Sequence, residues 1–164
     1  VGFWASMAQK LTFRPARVRD VDAMFRLINR MADSGRMLRR SKYKIVTMLA
    51  NFIIADTAAG ELAGCGALLP LWTDSAEIVS LAVDAPFQGM GVGTSLVREL
   101  LELARRQGFP QVITLTYAVE FFAKLGFRRE PKEHFPRKLW RECLECARLE
   151  DCDETAMSIR LDGP

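Results

Sequence analysis

Ala76-Glu77-Ile78-Val79-Ser80-Leu81-Ala82-Val83-Asp84 runs through Pro86 into Gln88-Gly89-Met90-Gly91-Val92-Gly93-Thr94. The first nine residues read as a buried strand, and its end meets a cluster of turn formers. From Gly91 the period changes: Val92, Leu96, Leu100 and Leu103 recur at three- and four-residue spacing, which predicts a helix. Gly108 and Pro110 stop that helix. A glycine-rich turn between a strand and a helix brings bare backbone N–H groups to the positive end of the helix dipole. That arrangement suits a pyrophosphate.

Working outward, Leu11-Thr12-Phe13 reads as a first strand, and Asp20 offers an N-cap to an amphipathic helix through Val21, Met24, Phe25, Ile28 and Met31 that Gly35 ends. Ser41 can cap a second short helix carrying Ile45, Met48 and Leu49. Residues 51–56 and 62–69 read as an antiparallel pair around a turn at Gly60. Beyond the long helix, residues 112–115 read as a strand, 117–125 as a short helix closed by Gly126, and 154–161 as a last strand. The order lacks the regular strand–helix alternation of a doubly wound sheet. It predicts a mixed α/β sheet of six to seven strands, largely antiparallel, with one strand–helix–strand crossover at the glycine turn. Residues 1–10 read as an extension and 11–164 as one domain.

Composition narrows the function classes. At 49% hydrophobic and 26% charged residues, the chain is neither a disordered tail nor a coiled-coil rod. A net charge of +3 is too even to indicate nucleic acid. The basic residues Arg36, Arg39, Arg40, Lys42 and Lys44 cluster in one short stretch, which reads either as a solvated loop or as an anion site. No apolar run approaches the ~18 residues that a membrane span needs. The cysteines carry no sign of an extracellular disulfide framework, so reduced thiols in a cytoplasmic protein are expected. Cys143-x-x-Cys146 with Cys152 and His134 offers a Cys3His set, but the second Cys-x-x-Cys that would mark zinc is missing. Packing is the favoured reading for these thiols, with no metal.

Two phosphate-binding readings of the turn fail. No Gly-Lys-Ser/Thr follows the glycines. Counting Gly-x-Gly-x-x-Gly from Gly89 puts Thr94 at the third glycine, and the turn follows the fourth strand rather than the first. The spacing of Gln88, Gly91 and Gly93 resembles the Gln/Arg-x-x-Gly-x-Gly/Ala acetyl-CoA signature of the GNAT acetyltransferases. The preceding strand is similar to their fourth strand, and Glu120-Phe121-Phe122-Ala123-Lys124-Leu125-Gly126-Phe127 to their second signature.

The resemblance implies the GNAT fold, with helices on both faces of the sheet, and an acetyl-CoA co-substrate. Backbone groups of Leu81, Ala82 and Val83 would pair with the pantetheine arm. N–H groups of Gln88, Gly89, Met90, Gly91, Val92, Gly93 and Thr94 would hold the pyrophosphate, and Phe122 would lie against the cofactor. Glu77 stands where some members carry a glutamate base. Phe122 occupies the place of their acidic tyrosine, so that role is empty. Tyr117 either substitutes for it or packs against cofactor or core, and a thiolate can also leave unassisted.

A finer resemblance is to the short bacterial N-acetylglutamate synthases of arginine biosynthesis. It rests on Gly64-Cys65-Gly66-Ala67-Leu68, Leu115-Thr116-Tyr117, Pro136-Arg137-Lys138-Leu139-Trp140 and the late cysteines. It implies L-glutamate as the small-molecule acceptor, with Arg40 and Lys138 on its carboxylates. Where that family reads Leu-Pro-Arg-Ser, this chain has Leu38-Arg39-Arg40-Ser41, which leaves open whether Arg39 or Arg40 enters the site. Nucleic acid and membrane are not expected partners; a homodimer is compatible with the pattern. Acetylation of another amine and a non-catalytic acyl-CoA sensor are the alternatives.

Overall fold

The computed structural model describes residues 10–135 and 152–162. Their elements are β1 (Leu11–Pro15), α1 (Val21–Asp33), α2 (Lys42–Thr47), β2 (Phe52–Thr57), β3 (Leu62–Trp72), β4 (Ser75–Val83), α3 (Val92–Gln107), β5 (Gln111–Thr116), α4 (Val119–Lys124), β6 (Arg128–Arg129) and β7 (Thr155–Arg160). Seven strands form one sheet in the order β1-β2-β3-β4-β5-β7-β6. Neighbours are antiparallel except β4 and β5, which are parallel and joined through α3. The expected mixed, largely antiparallel sheet with one crossover is therefore present.

Strand alternation sends side chains to two cores. On one face Ile53, Ala63, Leu68, Ile78, Val112 and Met157 pack with the α3 side chains Leu96, Val97 and Leu100 and with Phe122 and Phe127. On the other, Phe52, Ile54, Cys65, Ala67 and Val79 pack with Met24, Leu27 and Ile28 of α1 and Ile45 of α2. Helices thus cover both faces. Leu96 and Leu100 are fully buried, and each such side chain contributes about 1.5–3 kcal/mol. Gly64 lets β3, β4 and α3 close together, because a Cβ there would lie 2.8 Å from the Ala82 carbonyl oxygen and 3.1 Å from Leu96. Burial lifts the Cys65 thiol to a pKa of about 12, leaving it an inert packing group.

Two local expectations need correction, and one short strand goes unforeseen. Asp20 does not cap α1 with its side chain. Its carboxylate accepts from the Arg17 N–H at 2.7 Å, closing a 3-10 turn, and takes both terminal nitrogens of Arg14 at 2.9 Å. Tyr117 precedes α4 rather than opening it, because the Thr116 hydroxyl accepts the Ala118 N–H at 2.8 Å and bends the chain there. A two-residue strand, β6, has no signal in the sequence; it pairs Arg128 and Arg129 with Ser158 and Met157. Ser41 caps α2 as expected, accepting from the Lys44 N–H at 3.0 Å.

Arg14 ties β1 to two carboxylates, Asp20 and Asp56, in a partly buried network. Burial pushes the Asp20 carboxyl up, but its bonds to Arg14 and the Arg17 N–H outweigh that and hold it below the usual range. A lowered folded-state pKa gives stability that is present above the unfolded value and lost as pH falls through the folded one. Arg14→Ala is expected to cost about 1.5–3 kcal/mol at neutral pH, as for a lost charge-assisted bond. Urea unfolding should show the gap between variant and parent narrowing in acid. A gap unchanged by pH would remove Asp20 from the explanation.

Candidate functional site

A register shift in β4 creates the site. Cys65 pairs with Ala82 but Ala67 pairs with Val79, so β4 carries one residue more than β3 over that interval. The extra residue is Ser80, at φ +54, the only described non-glycine residue with positive φ. This β-bulge bends the strand. β4 then pairs with β5 only at Ala76–Val112 and Glu77–Ile113, and beyond Glu77 the two strands part. Where the ladder stops, the Thr114 hydroxyl donates to the Ile78 carbonyl at 3.1 Å.

The gap between the strands is a cleft of about 430 Å³, within the size range of small-molecule sites. Its lining comes from both faces of the sheet. Glu77, Val79, Ser80 and the α1–α2 loop residues Arg36, Met37, Leu38 and Arg40 lie on one side; Ile78, Leu81, Phe121 and Phe122 lie on the other. Glu77 is only 2% exposed, placed on β4 at its last pair with β5 and on the α1–α2 face. A carboxylate so far from bulk water and lining a cleft is an unusual expense in a fold.

Among the basic residues of the α1–α2 loop, Arg36 and Arg40 line the cleft, and the buried one is Arg40. It is 8% exposed, and its Nε donates to the Ser80 hydroxyl at 3.2 Å. Arg39 lies on the surface, paired with Asp33, and Lys42 pairs with Asp22 at 2.8 Å. Of the two arginines beside the missing proline, Arg40 lines the cleft and Arg39 does not. Nothing in the sequence marks Ser80 as a bulge. Asn29, whose side chain bonds to the Arg40 backbone, does leave a signal: an amide on the apolar side of α1.

The glycine turn adjoins the cleft. Gly91 is the N-cap of α3 at φ +79, and Ser95 N–H to Gly91 C=O, 3.0 Å, is a first-turn bond of the helix. Helix geometry leaves the N–H groups of Val92, Gly93 and Thr94 without an i−4 partner. A Cβ on Gly89 or Gly91 would meet nothing within 4 Å, so the turn is open at these two positions. Gly93 abuts Phe121, whose ring would lie 3.3 Å from an added Cβ. Gln88 also braces the turn through its side chain. Its Nε2 donates to the Val83 carbonyl at 3.0 Å and fastens the turn to the end of β4. Ala82 and Val83 pair with Cys65 and Gly64 on the β3 side. Their opposite edge is the one toward β5.

The remaining sequence candidates divide. Tyr117 lines the cleft, is 42% exposed, and its hydroxyl donates to Asp153 at 2.6 Å. Phe122 also lines the cleft, and its ring meets those of Phe121 and Phe127 edge-on. His134 Nδ1 lies 3.0 Å from Glu130 Oε2, and Glu130 Oε1 accepts from Ser158 at 2.9 Å. Lys138, Cys143 and Cys146 lie outside the described residues. No helix among the described residues is long and apolar enough to cross a membrane.

Comparison with known proteins agrees with this geometry. The chain is 37% identical to an uncharacterized N-acetyltransferase of Chlorobaculum tepidum over 144 residues, 88% of this chain and 92% of that protein. It is 36% identical to an amino-acid acetyltransferase of Mycobacterium tuberculosis over 116 residues, 70% of this chain and 66% of that one. Among solved structures, N-acetylglutamate synthase from Neisseria gonorrhoeae, complexed with coenzyme A and N-acetyl-glutamate, superposes with a TM-score of 0.83 at 26% identity. That match covers 94% of this chain and 36% of the synthase, so the chain spans about a third of its length. The model of the acetyltransferase (GNAT) family matches residues 21–127, from the first helix through both signatures, and the chain belongs to that family.

Proposed function

We propose that this acetyl-CoA-dependent N-acetyltransferase acetylates the α-amino group of a free amino acid, L-glutamate, to give N-acetylglutamate. One observation carries the reading: the cleft is lined from both faces of the sheet, on one by Phe121, which abuts Gly93 at the glycine-capped start of α3, and on the other by Glu77 and Arg40. The names of the Mycobacterium and Neisseria relatives support an amino-acid acceptor.

Bound acetyl-CoA supplies the acetyl group as a thioester. The turn from Gln88 to Thr94 holds its pyrophosphate on α3, and the β5-facing edge of Leu81 to Val83 takes the pantetheine amides. Phe122 gives the arm an apolar wall. On the other face Glu77 accepts the proton of the acceptor's ammonium, so the amine attacks in its neutral form. Transfer forms the C–N bond as the C–S bond breaks; the sulfur leaves as a thiolate, and the second proton, lost by nitrogen as the amide forms, neutralises that thiolate to the free thiol. The Tyr117 proton is engaged by Asp153, so donation to the thiolate requires that hydroxyl to turn about one bond. An ordinary thiol, with pKa near ~8.5, also leaves without help.

Arg40 binds an acceptor carboxylate, with Lys138 assisting from the late segment. Arg40→Ala is therefore expected to raise the KM for L-glutamate by roughly one to two decades, the loss of one charge-assisted contact. The KM for acetyl-CoA should stay nearly constant. Steady-state kinetics with each substrate varied in turn decides the matter. An unchanged glutamate KM would take Arg40 out of the acceptor site.

A further inference from the structure

Resting on that reading, we infer that Asn29 is a positioning residue for the acceptor site, acting through Arg40. Asn29 lies in α1 and is buried, 7% exposed. An asparagine is a poor choice for a helix interior, since its amide competes with the backbone and loses rotamer freedom. A buried amide must also be satisfied on both its oxygen and its nitrogen. Here that demand is met by one residue of the facing loop. Asn29 Oδ1 accepts the Arg40 N–H at 3.1 Å, and Asn29 Nδ2 donates to the Arg40 carbonyl at 2.9 Å. The second amide hydrogen goes to the Phe25 carbonyl, 2.9 Å away, one turn back along α1.

The side-chain amide thus reads Arg40 as a neighbouring strand would, donor to acceptor and acceptor to donor. Residues 36–40 have no ladder of their own to fix them. A two-point clamp on the backbone sets both the position and the orientation from which the arginine side chain departs. The third anchor is on the side chain itself, Nε to the Ser80 hydroxyl in the bulge. These three bonds tie the arginine to α1 and to β4, the strand that carries Glu77. The base and the carboxylate-binding group are held to one frame, which fixes the distance between an acceptor's carboxylate and its reacting nitrogen.

A purely structural amide would support the loop without bearing on the acceptor in particular. The two roles separate in a double-mutant cycle with L-glutamate as probe. Asn29→Leu, which removes both clamp bonds at similar volume, should raise the glutamate KM about tenfold, a coupling of ordinary size. It should leave the acetyl-CoA KM unchanged. Asn29→Asp keeps the acceptor for the Arg40 N–H and loses the donor, so it should fall between, and it serves as the test if the leucine variant does not fold. In the Arg40→Ala background the Asn29 substitutions should add little further loss. Full additivity, an equal rise in the acetyl-CoA KM, or an unchanged glutamate KM would each overturn the inference while leaving the acceptor assignment standing. If Arg40→Ala itself leaves the glutamate KM unchanged, Arg40 leaves the acceptor site and this inference falls with it, whereas the functional reading falls only if another amine is acetylated much faster than L-glutamate.

Discussion

Glu77→Gln should lower kcat by about 10²-fold or more near neutral pH, the usual scale for loss of a general base. The substitution keeps the shape of the side chain and removes only its ability to take a proton. Packing against the α1–α2 face should therefore survive, and a thermal melt close to that of the parent would confirm it. The position explains the size of the effect. Glu77 is the last β4 residue paired with β5, at the point where the two strands part, and it is nearly sealed from solvent. Bulk water and surface carboxylates have poor access to substitute for it. The pH–rate profile should also lose its acidic limb, because the titrating group is gone. A variant with parental kcat and an intact acidic limb would remove Glu77 from the chemistry.

Gly91→Val should weaken acetyl-CoA binding by at least about tenfold, with the melting transition shifted far less. The reason is conformational rather than steric. An added Cβ at residue 91 meets nothing within 4 Å, so there is room for a side chain in the protein alone. But φ is +79, and a β-branched residue in the left-handed region costs on the order of 1–3 kcal/mol. The chain can relieve that strain by rotating the turn, which swings the N–H groups at the start of α3 away from a common point. The same side chain would also fill the space where a phosphate must approach the backbone. Calorimetric titration with acetyl-CoA measures the loss directly. Parental affinity would show that the anion is held elsewhere.

Much of this is legible in the residues because the signals are periodic or chemical. The hydrophobic spacing from Val92 to Leu103 and the glycines before it place a helix start beside a strand end. The alternation in β2, β3 and β4 places the hairpins. Other features depend on contacts distant in sequence and leave no local trace. Ser80 is an ordinary strand residue until the pairing of four residues, Val79 to Ala82, against three, Cys65 to Ala67, places it at positive φ. Asp20 has the composition of a helix cap, yet Arg14 and the Arg17 N–H compete for its carboxylate and win. The basic loop reads equally well as a solvated surface, and Arg39 and Lys42 do lie on one. The amide of Asn29, eleven residues earlier, draws Arg40 inward.

The family fixes acetyl transfer from acetyl-CoA; the acceptor is what the cleft adds. The most direct measurement is the initial rate of thiol release from acetyl-CoA with each free amino acid in turn, alongside a polyamine. The polyamine is the informative contrast, since its site should be acidic, whereas here Arg36 and Arg40 line the cleft on the α1–α2 side. L-Glutamate is expected to give the highest kcat/KM, with N-acetylglutamate as the product. A polyamine or L-glutamine acetylated much faster than L-glutamate would contradict the assignment.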